Sequence, residues 1–64
     1  MYVTVETKKR FVHFKLTTNE PISREDAAKL QTERGYDYKK NGLYAFIVEK
    51  IHNHYQITWA CRSC

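Results

Sequence analysis

Glycine and proline are scarce: two of the first and one of the second in 64 residues. That excludes collagen-like repeats and Pro/Gly-rich linkers, and no low-complexity segment or internal repeat is visible. Cysteine is scarce as well. Cys61 and Cys64 are too few for the disulfide framework of a small secreted domain, and they fit a reducing compartment. No apolar run approaches the ~20 residues of a membrane span, and mean hydropathy is −0.68. Met1-Tyr2-Val3-Thr4-Val5-Glu6 has no basic stretch leading into an apolar one. No secretory signal and no membrane partner are therefore expected, and the default location is cytoplasmic.

What is present is the composition of a folded chain: 42% hydrophobic and 14% aromatic residues. Disordered chains lack that content. The length allows one small domain spanning residues 1–64. A domain of this size buries only about 60% of its unfolded surface. It has one core and little volume to spare for a deep pocket. The expectation is a binding protein, not an enzyme, with no cofactor. Eleven Lys and Arg against seven Asp and Glu give a net charge of +4. This favours acidic partners such as nucleic acid or an acidic protein surface, although it also lies in the range that simply keeps a small domain in solution.

Two segments near the N-terminus alternate. Val3 and Val5 oppose Tyr2, Thr4 and Glu6, while Val12, Phe14 and Leu16 oppose Phe11, His13 and Lys15. Period-two alternation of β-branched and aromatic residues predicts strands. A turn at Lys8-Lys9 would pair Val5 with Val12 and Val3 with Phe14, gathering the apolar side chains on one face. Leu43–His52 and Tyr55–Arg62 predict a second hairpin with Asn53-His54 as its turn. That pairing puts Phe46, Val48, Tyr55, Ile57, Trp59 and Cys61 on one face, and Ala45, Ile47, Ile51, Thr58 and Ala60 on the other. Between the hairpins, Ser23 with Asp26 three residues on reads as a helix N-cap. Good helix formers follow, and Gly35 lies where a helix would stop. The stretch from Gly35 to Gly42 reads as a loop, with Asn41-Gly42 as a turn signal. The expected fold is α+β, in the order β-β-α-β-β, an antiparallel sheet with one helix packed on a face.

The residues that suggest chemistry are few. His52, His54, Cys61 and Cys64 form a plausible zinc ligand set by type. The hairpin places Cys61 about nine strand residues from the tip, roughly 30 Å at ~3.3 Å per residue, so no bound metal is expected. Cys-x-x-Cys at Cys61 and Cys64 follows a strand instead of opening a helix, so a thiol redox centre is not expected either. Thr4, Glu6 and His13 share a face of the first hairpin. Cross-strand polar pairing accounts for them more simply than a catalytic triad.

Two binding surfaces emerge. The outer sheet face carries Tyr2, Phe11, His13 and Lys15, and the loop after the helix carries Tyr36, Tyr38, Lys39 and Lys40. These are the expected contacts for a protein partner. An exposed strand edge could add to a partner's sheet or to a second copy, so a homodimer is also expected. The alternative is a single-stranded DNA or RNA binder that holds phosphates with Lys8, Lys9, Arg10, Lys39 and Lys40 and stacks bases on the nearby aromatics.

One resemblance joins several of these segments. Ala27-Ala28-Lys29-Leu30-Gln31, Gly35-Tyr36, Gly42-Leu43-Tyr44-Ala45-Phe46 and Thr58-Trp59-Ala60-Cys61-Arg62-Ser63-Cys64 resemble a pattern in small uncharacterised proteins of tailed bacteriophages. The pattern covers roughly the C-terminal two-thirds of the chain. It carries no catalytic or metal assignment. What the resemblance implies is a phage-encoded accessory protein acting in the host cytoplasm, where it binds a bacterial protein and inhibits or redirects it.

Overall fold

Both alternating N-terminal segments are strands in the computed structural model, which describes residues 2–63 and, at residue 2, the backbone alone. Strand β1 (Tyr2–Lys8) pairs antiparallel with β2 (Phe11–Thr18), and β3 (Tyr44–Ile51) pairs antiparallel with β4 (His54–Arg62). The two hairpins join through an antiparallel β2–β4 pairing into one four-stranded sheet of order β1-β2-β4-β3. Helix α1 (Arg24–Glu33) and the short helix α2 (Tyr38–Asn41) complete the fold. The α+β order β-β-α-β-β therefore holds, with α2 added inside the segment expected to be a loop.

Both turns differ from the sequence reading. The first is Lys9-Arg10, pairing Val5 with Phe14 and Val3 with Leu16. The second is His52-Asn53, closed by Ile51 opposite His54. From Ile47 to Ile51, and throughout the first hairpin, each pairing is displaced from the expected one by two positions. The side-chain period in a strand is two, so these residues keep their expected face; Tyr44, beyond an irregularity in β3, is the exception and falls on the face of Ala60. The turn chemistry explains the misreading. Lys9 and His52 both hold φ of 54°, a backbone region in which glycine or asparagine would have been the readable signal.

The inner face of the two central strands forms the core. Val12, Phe14, Leu16, Ile57, Trp59 and Cys61 pack there with Ala27 of α1 and with Leu43. Phe14 and Trp59 are register partners and stack with ring centroids 5.0 Å apart and planes within 2°. Cys61 is opposite Val12, not beside Phe46 as the expected register had it; Phe46 lies against Trp59 instead. The edge strands reach past this cover, leaving Val5 of β1 40% and Val48 of β3 39% exposed.

Helix α1 is bounded as its sequence indicates. The Ser23 hydroxyl accepts the Asp26 backbone N–H at 3.2 Å, and Glu25 and Asp26 sit in the first turn, where acids complement the helix dipole. At the other end the Tyr36 N–H reaches the Gln31 carbonyl and the Gly35 N–H reaches the Thr32 carbonyl. This is a Schellman ending, with Gly35 at φ of 91°. The helix buries Ala27 and Gln31 fully, with Ala28 and Leu30 partly covered. Gln31 donates from Nε2 to the Gly42 carbonyl at 2.7 Å, and Arg24 donates to the Leu43 carbonyl at 2.6 Å. These bonds tie α1 to the chain that leads into β3.

Candidate functional site

The β2–β4 pairing has a consequence that local sequence does not reveal. It brings the end of β4 beside the first turn, where the Ser63 N–H donates to the Arg10 carbonyl at 2.8 Å. On the other side of the same strand end, Asn41 of α2 donates from Nδ2 to the Arg62 carbonyl at 2.6 Å. Helix α2 is short but well defined. Asp37 caps it by accepting the Lys39 N–H at 3.0 Å, and the Gly42 N–H closes it on the Tyr38 carbonyl at 2.8 Å. Lys8, Lys9, Arg10, Lys39, Lys40 and Arg62 thus crowd one end of the sheet, all exposed. They are more than half of the eleven Lys and Arg in the chain. Asp37 and Glu6 are the acids beside them. Lys8–Glu6, at 3.7 Å with both side chains 67% exposed, is the one ion pair among the described residues.

The outer face of the sheet can be described row by row from the register. Nearest the basic end lie Lys8, Phe11 and Arg62. Next come Glu6, His13, Ala60 and Tyr44, and then Thr4, Lys15, Thr58 and Ile47. Phe11 and Tyr44 meet edge to face at 6.4 Å and stay 40% and 46% exposed. Small side chains, Thr58, Ala60 and Ala45, occupy the middle, with larger ones around them. The result is an open depression of about 480 Å³ whose polar side is Thr4, Glu6, His13 and Lys15. The sequence reading foresaw no deep pocket because a pocket cut into the core would be costly. This depression lies on the uncovered face and takes nothing from the core.

Strand β3 adds a local irregularity. Tyr44 pairs with Ala60 and Ile47 with Thr58, so Ala45 and Phe46 together oppose one residue of β4. Ala45 takes up the bulge with φ of 53°. The bulge turns Ala45 into the depression while Phe46 stays against Trp59.

The residues expected to make contacts fare differently. Phe11, His13 and Lys15 share the outer face and are exposed. The Tyr2 side chain lies outside the described residues. Tyr38, Lys39 and Lys40 are exposed on α2, not in a loop. Tyr36 is half-buried with its ring edge-on to Phe14 at 6.0 Å, so it belongs to the rim of the core instead of a contact surface. Ile47 and Arg62 were expected on one face of the second hairpin but not among the contacts, and Tyr44 was not placed, because the joining of that face to Phe11 and His13 follows from strand pairings distant in sequence.

The structure also places the other groups that suggest chemistry. Glu6 pairs with His13, but the Thr4 hydroxyl donates to the Lys15 carbonyl at 3.3 Å and is not held by His13. His52 lies in the β3–β4 turn and His54 opens β4, whereas Cys61 sits at the far end of that strand, buried with a free thiol. Burial pushes that thiol's pKa up, the opposite of an activated cysteine. Cys64 is outside the described residues. Among the described residues no three His, Cys, Asp or Glu side chains converge as metal ligands, and no helix is long and apolar enough to cross a membrane. No family model, curated protein or solved structure matches the chain.

Proposed function

We propose that the chain is a non-enzymatic binding protein for single-stranded nucleic acid. The observation that carries this reading is the meeting of two sequence-distant basic segments at the end of β4, beside exposed Phe11 and Tyr44. Six cations with two neighbouring acids make a local positive field much stronger than the net charge alone implies. Phosphates are drawn to such a field, and bases stack on aromatic faces beside it. An open sheet face with a shallow depression suits unpaired bases better than the groove of a duplex, which admits a helix or a narrow ribbon. Fluorescence anisotropy with a short labelled oligonucleotide tests the reading. Binding at low salt that weakens steeply as salt rises is the expected result. Absence of binding to single strands at low salt contradicts it.

A second reading has its own observation. Three of the six exposed large hydrophobics among the described residues, Tyr44, Ile47 and Val48, lie on the edge strand β3, with Ile47 50% exposed. The opposite edge, β1, presents Thr, Glu and Lys along most of its length. Unguarded edges of this kind accept a strand from another protein. Together with the bacteriophage resemblance, this supports a modulator that docks on a host bacterial protein through β3. A nuclease-treated bacterial lysate separates the cases. A host protein retained by the wild type and lost with Ile47→Lys supports docking at this edge. Retention of nothing, or of the same protein by both forms, contradicts it.

A further inference from the structure

The outer-face depression contains a residue that a phosphate-binding surface does not need. Glu6 stands one row in from Lys8, Phe11 and Arg62, on the wall of the depression and directly opposite His13. A carboxylate there repels the phosphate backbone that the neighbouring cations attract. Its pairing with Lys8 at 3.7 Å is loose and solvent-exposed, and such pairs hold their partners weakly. Glu6 is therefore free to turn toward whatever fills the depression.

The shape of the depression limits that occupant. Ala45, Thr58 and Ala60 have side chains too short to keep a flat ring away from the sheet, and Ile47 gives an apolar wall. Phe11 and Tyr44 stand beside it on the side of the basic end. At about 480 Å³ and open to solvent, it accommodates one unstacked base with part of its sugar. A strand whose phosphates lie along the basic end delivers its bases to this place.

We propose that the depression is a subsite for one nucleobase, and that Glu6 makes it select bases carrying an amine on the pairing edge over thymine and uracil. The proposal rests on the nucleic-acid reading and deepens it. Cytosine, adenine and guanine each present amine N–H groups on that edge, and a carboxylate is an acceptor only. Thymine and uracil present one N–H between two carbonyl oxygens, and a carboxylate facing that edge meets repulsion on both sides. His13 and Lys15 line the same wall and supply donors for the base's carbonyl or ring nitrogen. The single acid on this part of the face is then a discriminating element within a surface otherwise built for charge attraction.

The experiment compares labelled oligodeoxycytidine with oligodeoxythymidine of equal length, on wild type and on Glu6→Gln, at one low salt concentration. The wild type is expected to bind the cytidine oligomer about tenfold more tightly, as one good side chain–base contact provides. Glutamine both donates and accepts, so in Glu6→Gln the preference should fall to near unity, chiefly through tighter binding of oligothymidine. Glu6 is exposed, and unchanged emission from the single tryptophan, Trp59, verifies that the variant is folded. Equal wild-type affinities overturn the subsite. So does a preference that survives in Glu6→Gln, including an equal gain for both oligomers, which would make Glu6 merely a repeller of phosphate. Failure of the wild type to bind either oligomer removes the nucleic-acid reading itself and is distinct from these results.

Discussion

Gly42 is the residue on which the join between the helices and the sheet depends. Its φ of 77° and ψ of −178° fall in a region that only glycine enters readily. A Cβ there would stand 2.8 Å from the Tyr44 hydroxyl oxygen and 2.9 Å from the ring carbon bearing it. Its carbonyl also receives the Gln31 amide. Gly42→Ala should cost about 1–3 kcal/mol of stability, read as a lower denaturant midpoint, and should move the Tyr44 ring away from Phe11. A variant as stable as the wild type would show that the backbone relaxes freely at this point. Cys61 supplies a pH dependence. Burial raises its thiol pKa, so above about pH 8.5 the unfolded chain loses a proton that the folded chain keeps. Stability from this group is complete below the ordinary thiol range and declines as pH rises through it toward the raised value. The denaturation midpoint should fall on the alkaline side in the wild type and fall less in Cys61→Ala; equal declines would remove Cys61 as the cause. Both Gln31 Oε1 and Trp59 Nε1 are buried without a hydrogen-bond partner among the described residues. Each such atom costs on the order of 1–3 kcal/mol, a cost offset by the packing of the core around them.

At the scale of elements, the strands and α1 were legible because their signals are local and mutually reinforcing. Alternation set the faces of β1 and β2, and Ser23, Asp26 and Gly35 marked the ends of α1. The turns were less legible because lysine and histidine occupy positions that prefer glycine. An error of even parity left the faces intact except at Tyr44, beyond the β3 bulge, which is why the core could be read while the pairing was misplaced. Helix α2 is a single turn whose stability comes from the Asp37 cap and from Asn41 bonding to Arg62, and that second bond spans the fold. The turn geometry gives a direct prediction. His52 pays for a left-handed φ of 54°, so His52→Gly should raise stability by up to ~1 kcal/mol, the left-handed penalty less the added entropy of the unfolded chain. Thermal unfolding followed by Trp59 fluorescence reads it. A lower midpoint would mean that the imidazole makes a compensating contact.

At the scale of the whole molecule, the candidate site is a product of topology. The basic triplet Lys8-Lys9-Arg10 and the pair Lys39-Lys40 were each visible in the sequence, and so was Phe11. Their convergence was not, because it requires β2 beside β4, a pairing that no local pattern specifies. Arg62, Tyr44 and the small residues that form the depression entered the site by the same route. The central claim is that two distant basic segments act as one surface, and its most direct test is the salt dependence of single-strand binding. The slope of log affinity against log salt should be measured for the wild type, for Lys8/Lys9→Gln and for Lys39/Lys40→Gln. Each phosphate contact to a single strand contributes about 0.7 to that slope. The account predicts that both double variants have shallower slopes than the wild type, by up to about 1.4 each, with loss at either segment weakening the same oligonucleotide. An unchanged slope in either variant would show that only one segment meets the strand, and would contradict a single joined surface.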